Sequence, residues 1–230
     1  MTPELVDRAA ASLRAHGAPF TRKNLFHAAC RLAGDAGDFE RFVAGPLARR
    51  LRRGPIAGLL APARPPRARR LPREHDSYFP AAILIVDRRE LVDLFAASGV
   101  LVQARLAIVS ADGTPAGVVR WLQRGLRAGF RAPVGYLHDA ATVLYPFALE
   151  PLATLVEVAR AGAPIAFVDL GLPPGGLAAR ELPFCPPMRE PIRELEAPPP
   201  ASIVAYAARR LATLLPRDEW LAPLKPRRSS

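Results

Sequence analysis

Apolar residues recur four apart at the start of the chain. Leu5, Ala9 and Leu13 share one face of residues 3–16 and predict a helix that Gly17 stops. Pro19-Phe20-Thr21 opens a second helix with Thr21 as its N-cap, and Leu25, Cys30 and Leu32 contribute its buried side. Residues 34–38 form a turn. A third helix is expected from about Asp38 to Arg53, with Phe39, Phe42, Val43, Leu47 and Leu51 as apolar material and Pro46 kinking or splitting it. Three short helices with tight turns predict a helix-turn-helix-like module, with no clear wing hairpin after Arg53.

From residue 81 the pattern changes. AAILIVD (81–87) is a continuous apolar run ending in an acid, as in a strand buried on both faces. Strands are expected at 83–87, 106–110, 133–137 and 165–169. Helices alternate with them at 90–99, 114–129 and 148–162, with Thr114 and Pro115 as the start signal of the second. Alternation with short loops predicts an α/β region built on a mostly parallel sheet. The division expected is a basic helical domain over 1–60, a Pro/Arg-rich linker over 61–79 and the α/β domain over 80–182. Residues 183–230 hold a Pro-rich segment, a last amphipathic helix at 203–215 and a basic tail.

Composition sharpens this. Hydrophobic residues make up 50% of the chain and aromatics only 7%, so the core is aliphatic. The 32 basic residues against 21 acidic give a formal charge of +11, and Lys23 and Lys225 are the only lysines. A GC-rich genome enriches Arg together with Ala, Pro and Gly; a nucleic-acid binder concentrates Arg in a patch. Position favours the patch. Arg41, Arg49, Arg50, Arg52, Arg53, Arg64, Arg67, Arg69, Arg70 and Arg73 follow one another with no acid between them. Of these, Arg49, Arg50, Arg52 and Arg53 with Arg64, Arg67, Arg69 and Arg70 are the expected contacts to phosphates of duplex DNA. No aromatic is interleaved after Phe42, so stacking on single strands is not suggested. Cys30 and Cys185 lie far apart and predict neither a disulfide framework nor a zinc site. The N-terminal residues lack a signal-peptide core, and no run approaches the roughly 20 apolar residues of a membrane span. A cytoplasmic protein without a membrane partner is expected.

Parallel sheets present ligands at the C-terminal ends of their strands. The polar residues delivered there are Asp87, Ser110, Asp112, His138, Asp139 and Asp169. Asp87, Asp139 and Asp112 are a candidate set for a hard cation such as magnesium. His138 is a candidate general base beside Asp139, although a lone His at a loop is more often a hydrogen-bonded structural residue. Dinucleotide, phosphate-loop and nucleophile-elbow motifs are absent.

The order of pieces resembles the A subunit of type IIB DNA topoisomerases, the related meiotic double-strand-break proteins, and the nuclease subunit of some bacterial plasmid-defence systems. The resemblance covers about residues 5–145. GAPFTRKNLFHAACR (17–31) is similar to the family's helix-turn-helix, with His27 where the DNA-attacking tyrosine would stand. ILIVDRRELVDLF (83–95) resembles the first Toprim strand, with Asp87 in place of the usual Glu. SADGTPAGVVRWLQRGL (110–126) resembles the family's turn into a helix. In VGYLHDAATVLYPF (134–147), Asp139 matches the first Asp of the Asp-x-Asp motif and Ala141 replaces the second. The resemblance implies a degenerate Toprim-like domain that binds magnesium weakly.

The leading expectation is a DNA-associated protein, acting by DNA binding or as a structural subunit beside a protein partner in a DNA-processing complex. One alternative is a magnesium-dependent nuclease or phosphotransfer enzyme using Asp87, Asp139 and Asp112. Another is an interaction scaffold that docks a partner on the Pro-rich residues 183–200.

Overall fold

A computed structural model describes residues 1–15, 17–61, 80–99, 105–112, 114, 116–127, 132–141 and 167–215, the side chains of Leu126 and Phe167 excepted. The chain forms N-terminal helices followed by an α/β region with a small parallel sheet. Two compact units are distinguished: Met1–Pro62 with Leu172–Tyr206, and Ala63–Gly171 with Ala207–Ser230. Residues 62–79 of the expected linker, with Arg64, Arg67, Arg69 and Arg70, lie outside the described residues, as does the helix expected at 148–162.

In the first unit, helix α1 (Pro3–Arg14) begins at Thr2, whose hydroxyl accepts from the Leu5 amide. Helix α2 (Arg22–Ala33) begins with a capping box. The Thr21 hydroxyl accepts from the Asn24 amide at 3.1 Å, and the Asn24 side chain accepts from the Thr21 amide at 3.0 Å. Gly34 ends it at φ 69°, a left-handed position that glycine takes without a Cβ penalty. The third helical stretch runs as α3 (Phe39–Phe42), a π-helical segment (Val43–Leu47) and α4 (Ala48–Leu51), capped by the Asp38 carboxylate. Pro46 lies inside the π segment, so its missing N–H is absorbed by a wider turn rather than by a break. The three stretches close on Val6, Ala9, Leu13, Phe20, Leu25, Phe42 and Leu47. After α4 the chain returns, buries Ile56 and pairs Leu59 with Phe20 in a single parallel bridge.

In the second unit, strands β1 (Ala82–Val86), β2 (Leu106–Ser110), β3 (Val134–Leu137) and β4 (Phe167–Asp169) are all parallel, in the order β2-β1-β3-β4. Every residue of β1 is buried, which explains its unbroken apolar run. Helix α5 (Arg89–Ala97) follows β1, and helix α6 (Ala116–Arg127) follows β2. Val119 and Leu122 of α6 pack on Ile83, Ile85, Val109, Val134 and Tyr136 of the sheet. The Thr114 hydroxyl donates to the Ser110 carbonyl at 2.7 Å and accepts from the Ser110 amide at 2.8 Å, fastening the turn between β2 and α6. A last helix, α7 (Pro200–Leu214), carries residues of both units. Among the described residues no helix is long and apolar enough to cross a membrane.

Candidate functional site: a bonded aspartate pair and the arginines of α4

Strand β2 lies on one side of β1 and β3 on the other. The connections therefore diverge between β1 and β3, the place where open α/β sheets hold their ligands. Asp87 follows β1 there, and His138 and Asp139 follow β3.

The two aspartates are bonded through the Asp139 backbone, not carboxylate to carboxylate. The Asp139 amide donates to Asp87 Oδ2 at 2.9 Å, and the buried Tyr136 hydroxyl donates to Asp87 Oδ1. Burial, and then the neighbouring Asp87 carboxylate, push the Tyr136 phenol far above its ordinary range, so it stays protonated as a donor. Arg88 donates to Asp139 Oδ2 at 2.7 Å. Both Asp87 oxygens and one Asp139 oxygen are thus held by protein donors. Tyr136 was not legible as a site residue, being one aromatic in an apolar strand. The signal was its spacing: it shares a strand face with His138 two positions on, and their rings lie 4.9 Å apart.

His138 bridges β3 to β4. Its Nδ1 lies 2.7 Å from the Asp139 carbonyl, which can only accept, so Nδ1 carries a proton. Its Nε2 lies 3.0 Å from Asp169 Oδ1, which also accepts from the Gly171 amide at 2.8 Å. With both nitrogens engaged and the side chain 6% exposed, His138 is placed as a structural clamp, not as a general base. Arg210 of α7 donates to the Asp169 carbonyl at 2.8 Å, further fixing the end of β4.

These residues do not fit a magnesium ion. A hard cation needs several free oxygen ligands, and the Asp87–Asp139 pair offers its oxygens to Tyr136, an amide and a guanidinium. Asp112 is exposed in the turn after β2, and no bond joins it to the pair. Among the described residues no group of three or more His, Cys, Asp or Glu side chains is arranged to hold a metal. The Ala141 side chain supplies no oxygen.

In the first unit the polar face of α2 is covered by residues 192–197. Glu194 accepts from Lys23 at 2.5 Å and contacts His27 Nε2 at 3.3 Å; the hydrogen bond to His27 and the Lys23 charge hold its carboxyl down at about 2. Thr21 donates to the buried Glu196 carboxylate, Asn24 donates to the Glu196 carbonyl at 2.8 Å, and Arg31 donates to the Ala197 carbonyl at 2.5 Å. His27 is therefore one arm of an internal cluster with Lys23 and Glu194. Ile192, Leu195 and Glu196 are buried, so this part of the Pro-rich stretch is packed structure. Both cysteines are free, and burial pushes both thiols up, away from the reactive thiolate.

The four helix arginines divide into two pairs. Arg50 Nε donates to Asp7 at 2.5 Å and its NH1 to the Gly54 carbonyl at 2.9 Å; Arg53 donates to Glu4 at 3.1 Å. Both acids belong to α1. Arg49 and Arg52 are exposed, and neither is ion-paired among the described residues.

No protein-family model, no curated protein and no solved structure matches this chain.

Proposed function

We propose that the protein binds duplex DNA through phosphate contacts and carries out no metal-dependent chemistry of its own. One observation carries the reading: Arg49 and Arg52 are exposed at the end of α4 and not ion-paired among the described residues, and the chain beyond them reaches Arg73 without meeting an acid. Guanidinium groups in that state suit phosphate oxygens, and their contacts place the protein on DNA without reading sequence. On this reading the α/β unit is a Toprim-like domain whose remaining carboxylates serve internal bonds, and strand cleavage, where it occurs, belongs to a partner subunit. Its edge is closed by Tyr136, Arg88 and His138 rather than left open for a cation, which favours binding over hydrolysis.

Fluorescence anisotropy with a labelled duplex over a salt series tests the proposal. Affinity should fall linearly in log salt, by a slope of about 0.9 per phosphate contacted, with little difference between duplex sequences. An absence of binding near physiological salt would remove the reading, and cleavage that requires magnesium would replace it with the enzyme alternative.

A further inference from the structure

Helix α6 carries Arg120, Arg124 and Arg127, and no Asp or Glu anywhere in Ala116–Arg127. The spacing of four and then three residues puts all three arginines on one stripe. All three are exposed, and none is ion-paired among the described residues. The opposite face is fixed: Val119 and Leu122 are buried in the sheet core, and Val118 and Trp121 pack against it. The helix therefore cannot turn its stripe inward.

Surface helices commonly set opposite charges three or four apart, whereas like charges at that spacing repel and weaken the helix. The two arginines of the last turn gain something from the helix dipole, but Arg120 lies outside that turn. Among the described residues no acid is paired with the stripe to offset its like-charge repulsion. A polyanion would offset it. Arg120 to Arg127 covers seven residues, about 10 Å of helix. One strand of a duplex presents a phosphate about every 3.4 Å along its axis. A helix lying along a groove edge thus meets about three phosphates with three guanidinium groups.

We infer that α6 is a second duplex-backbone contact surface, made by Arg120, Arg124 and Arg127 in the α/β unit. It extends the proposed function and rests on it only for the identity of the polyanion. The contact releases counterions and reads no bases, so it adds affinity and salt dependence without sequence preference.

The full-length protein tests this in three forms: wild type, Arg120→Gln/Arg124→Gln/Arg127→Gln, and Arg49→Gln/Arg52→Gln, with circular dichroism as folding control. The α6 variant should bind duplex more weakly at each salt concentration, with a log-log salt slope lower by roughly 2 to 3. The matching triple Lys variant should keep the wild-type slope, because the charge is retained. If the triple Gln variant does not fold, Arg124→Gln alone should lower the slope by about 0.9. A folded α6 variant with wild-type affinity and slope, beside an Arg49/Arg52 variant that loses both, overturns the α6 surface and leaves the proposed function standing. Loss in the α6 variant alone supports the α6 surface and sinks the α4 site. Wild-type protein that ignores duplex yet binds phosphatidylcholine–phosphatidylserine vesicles in an α6-dependent way overturns the inference in favour of a lipid surface.

Discussion

The backbone amide of Asp139 donates to the carboxylate of Asp87 across the boundary between β3 and β1, at 2.9 Å. An acid that ends one strand thereby caps the backbone leaving its neighbour. The same Asp87 takes the Tyr136 hydroxyl on its other oxygen, so the group with the strongest resemblance to a metal ligand serves as a three-way joint. A joint and a metal ligand make opposite demands, since each donor on the carboxylate removes a lone pair a cation would use.

Removing one donor tests the joint. Tyr136→Phe should lower stability by about 1–2 kcal/mol, because the buried phenol's hydrogen bond to the part-buried Asp87 carboxylate is lost while the apolar ring is kept. Asp87→Asn should cost at least as much, since one amide face presents a donor where an acceptor is needed. Denaturant unfolding measures both. Millimolar magnesium should leave the melting midpoint of the wild type unchanged; a rise that Asp87→Asn abolishes would mean the pair does hold a metal.

Arg50 and Arg53 should behave differently when changed to Gln. The Arg50 side chain is 18% exposed and bonded to both Asp7 and Gly54, so its loss should cost roughly 1–2 kcal/mol. Arg53 and Glu4 are 60% and 66% exposed, and an exposed pair contributes within about 1 kcal/mol of nothing. Equal stability changes in the two variants would contradict the assignment of Arg50 to the fold.

The Glu194 cluster gives an acid-side signature. His27 and Lys23 depress the Glu194 carboxyl from its ordinary 4.5 to about 2. A group depressed in the folded state contributes stability above its unfolded value and loses it as pH falls toward its folded value. The wild type should therefore lose stability between about pH 4.5 and pH 2. Glu194→Gln should be less stable near neutrality and flatter across that window. Parallel pH–stability curves for the two proteins would show that Glu194 is not held by His27 and Lys23.

Gly171 lies against the His138 ring, closer than any Cβ could be accommodated. Gly171→Ala should destabilise the second unit by about 1–3 kcal/mol through overpacking. His138→Ala in the same chain should relieve most of that, so the double variant falls short of the sum of the singles. Strict additivity would mean the ring does not occupy that space.

Much of the local structure is legible in the sequence, because local rules govern it. The apolar run Ala82–Val86 is a fully buried central strand, and the four parallel strands fall where the alternation of patterns places them. Thr21 caps α2 as expected, and Pro46 distorts the third helical stretch. The π turn that absorbs Pro46 is not encoded by any local pattern. Residue partners at long range were out of reach for the same reason. The run from Arg41 to Arg73 contains no acid, yet Arg50 and Arg53 find Asp7 and Glu4 more than forty positions earlier. His27 meets Glu194 at 167 positions' separation. Charge counted along the chain therefore does not show which arginines meet an acid: Arg50 and Arg53 are bonded to α1, and Arg49 and Arg52 are not ion-paired among the described residues.

The central claim is that exposed arginines hold duplex phosphates, and Arg49 and Arg52 isolate it, since Arg50 and Arg53 can be left in place. The decisive measurement is duplex affinity over a salt series for wild type and Arg49→Gln/Arg52→Gln, with unfolding midpoints checked to be equal. The account predicts weaker binding across all duplex sequences and a log-log slope lower by about 1.8, two contacts at about 0.9 each. A stable variant with wild-type affinity and slope would contradict it.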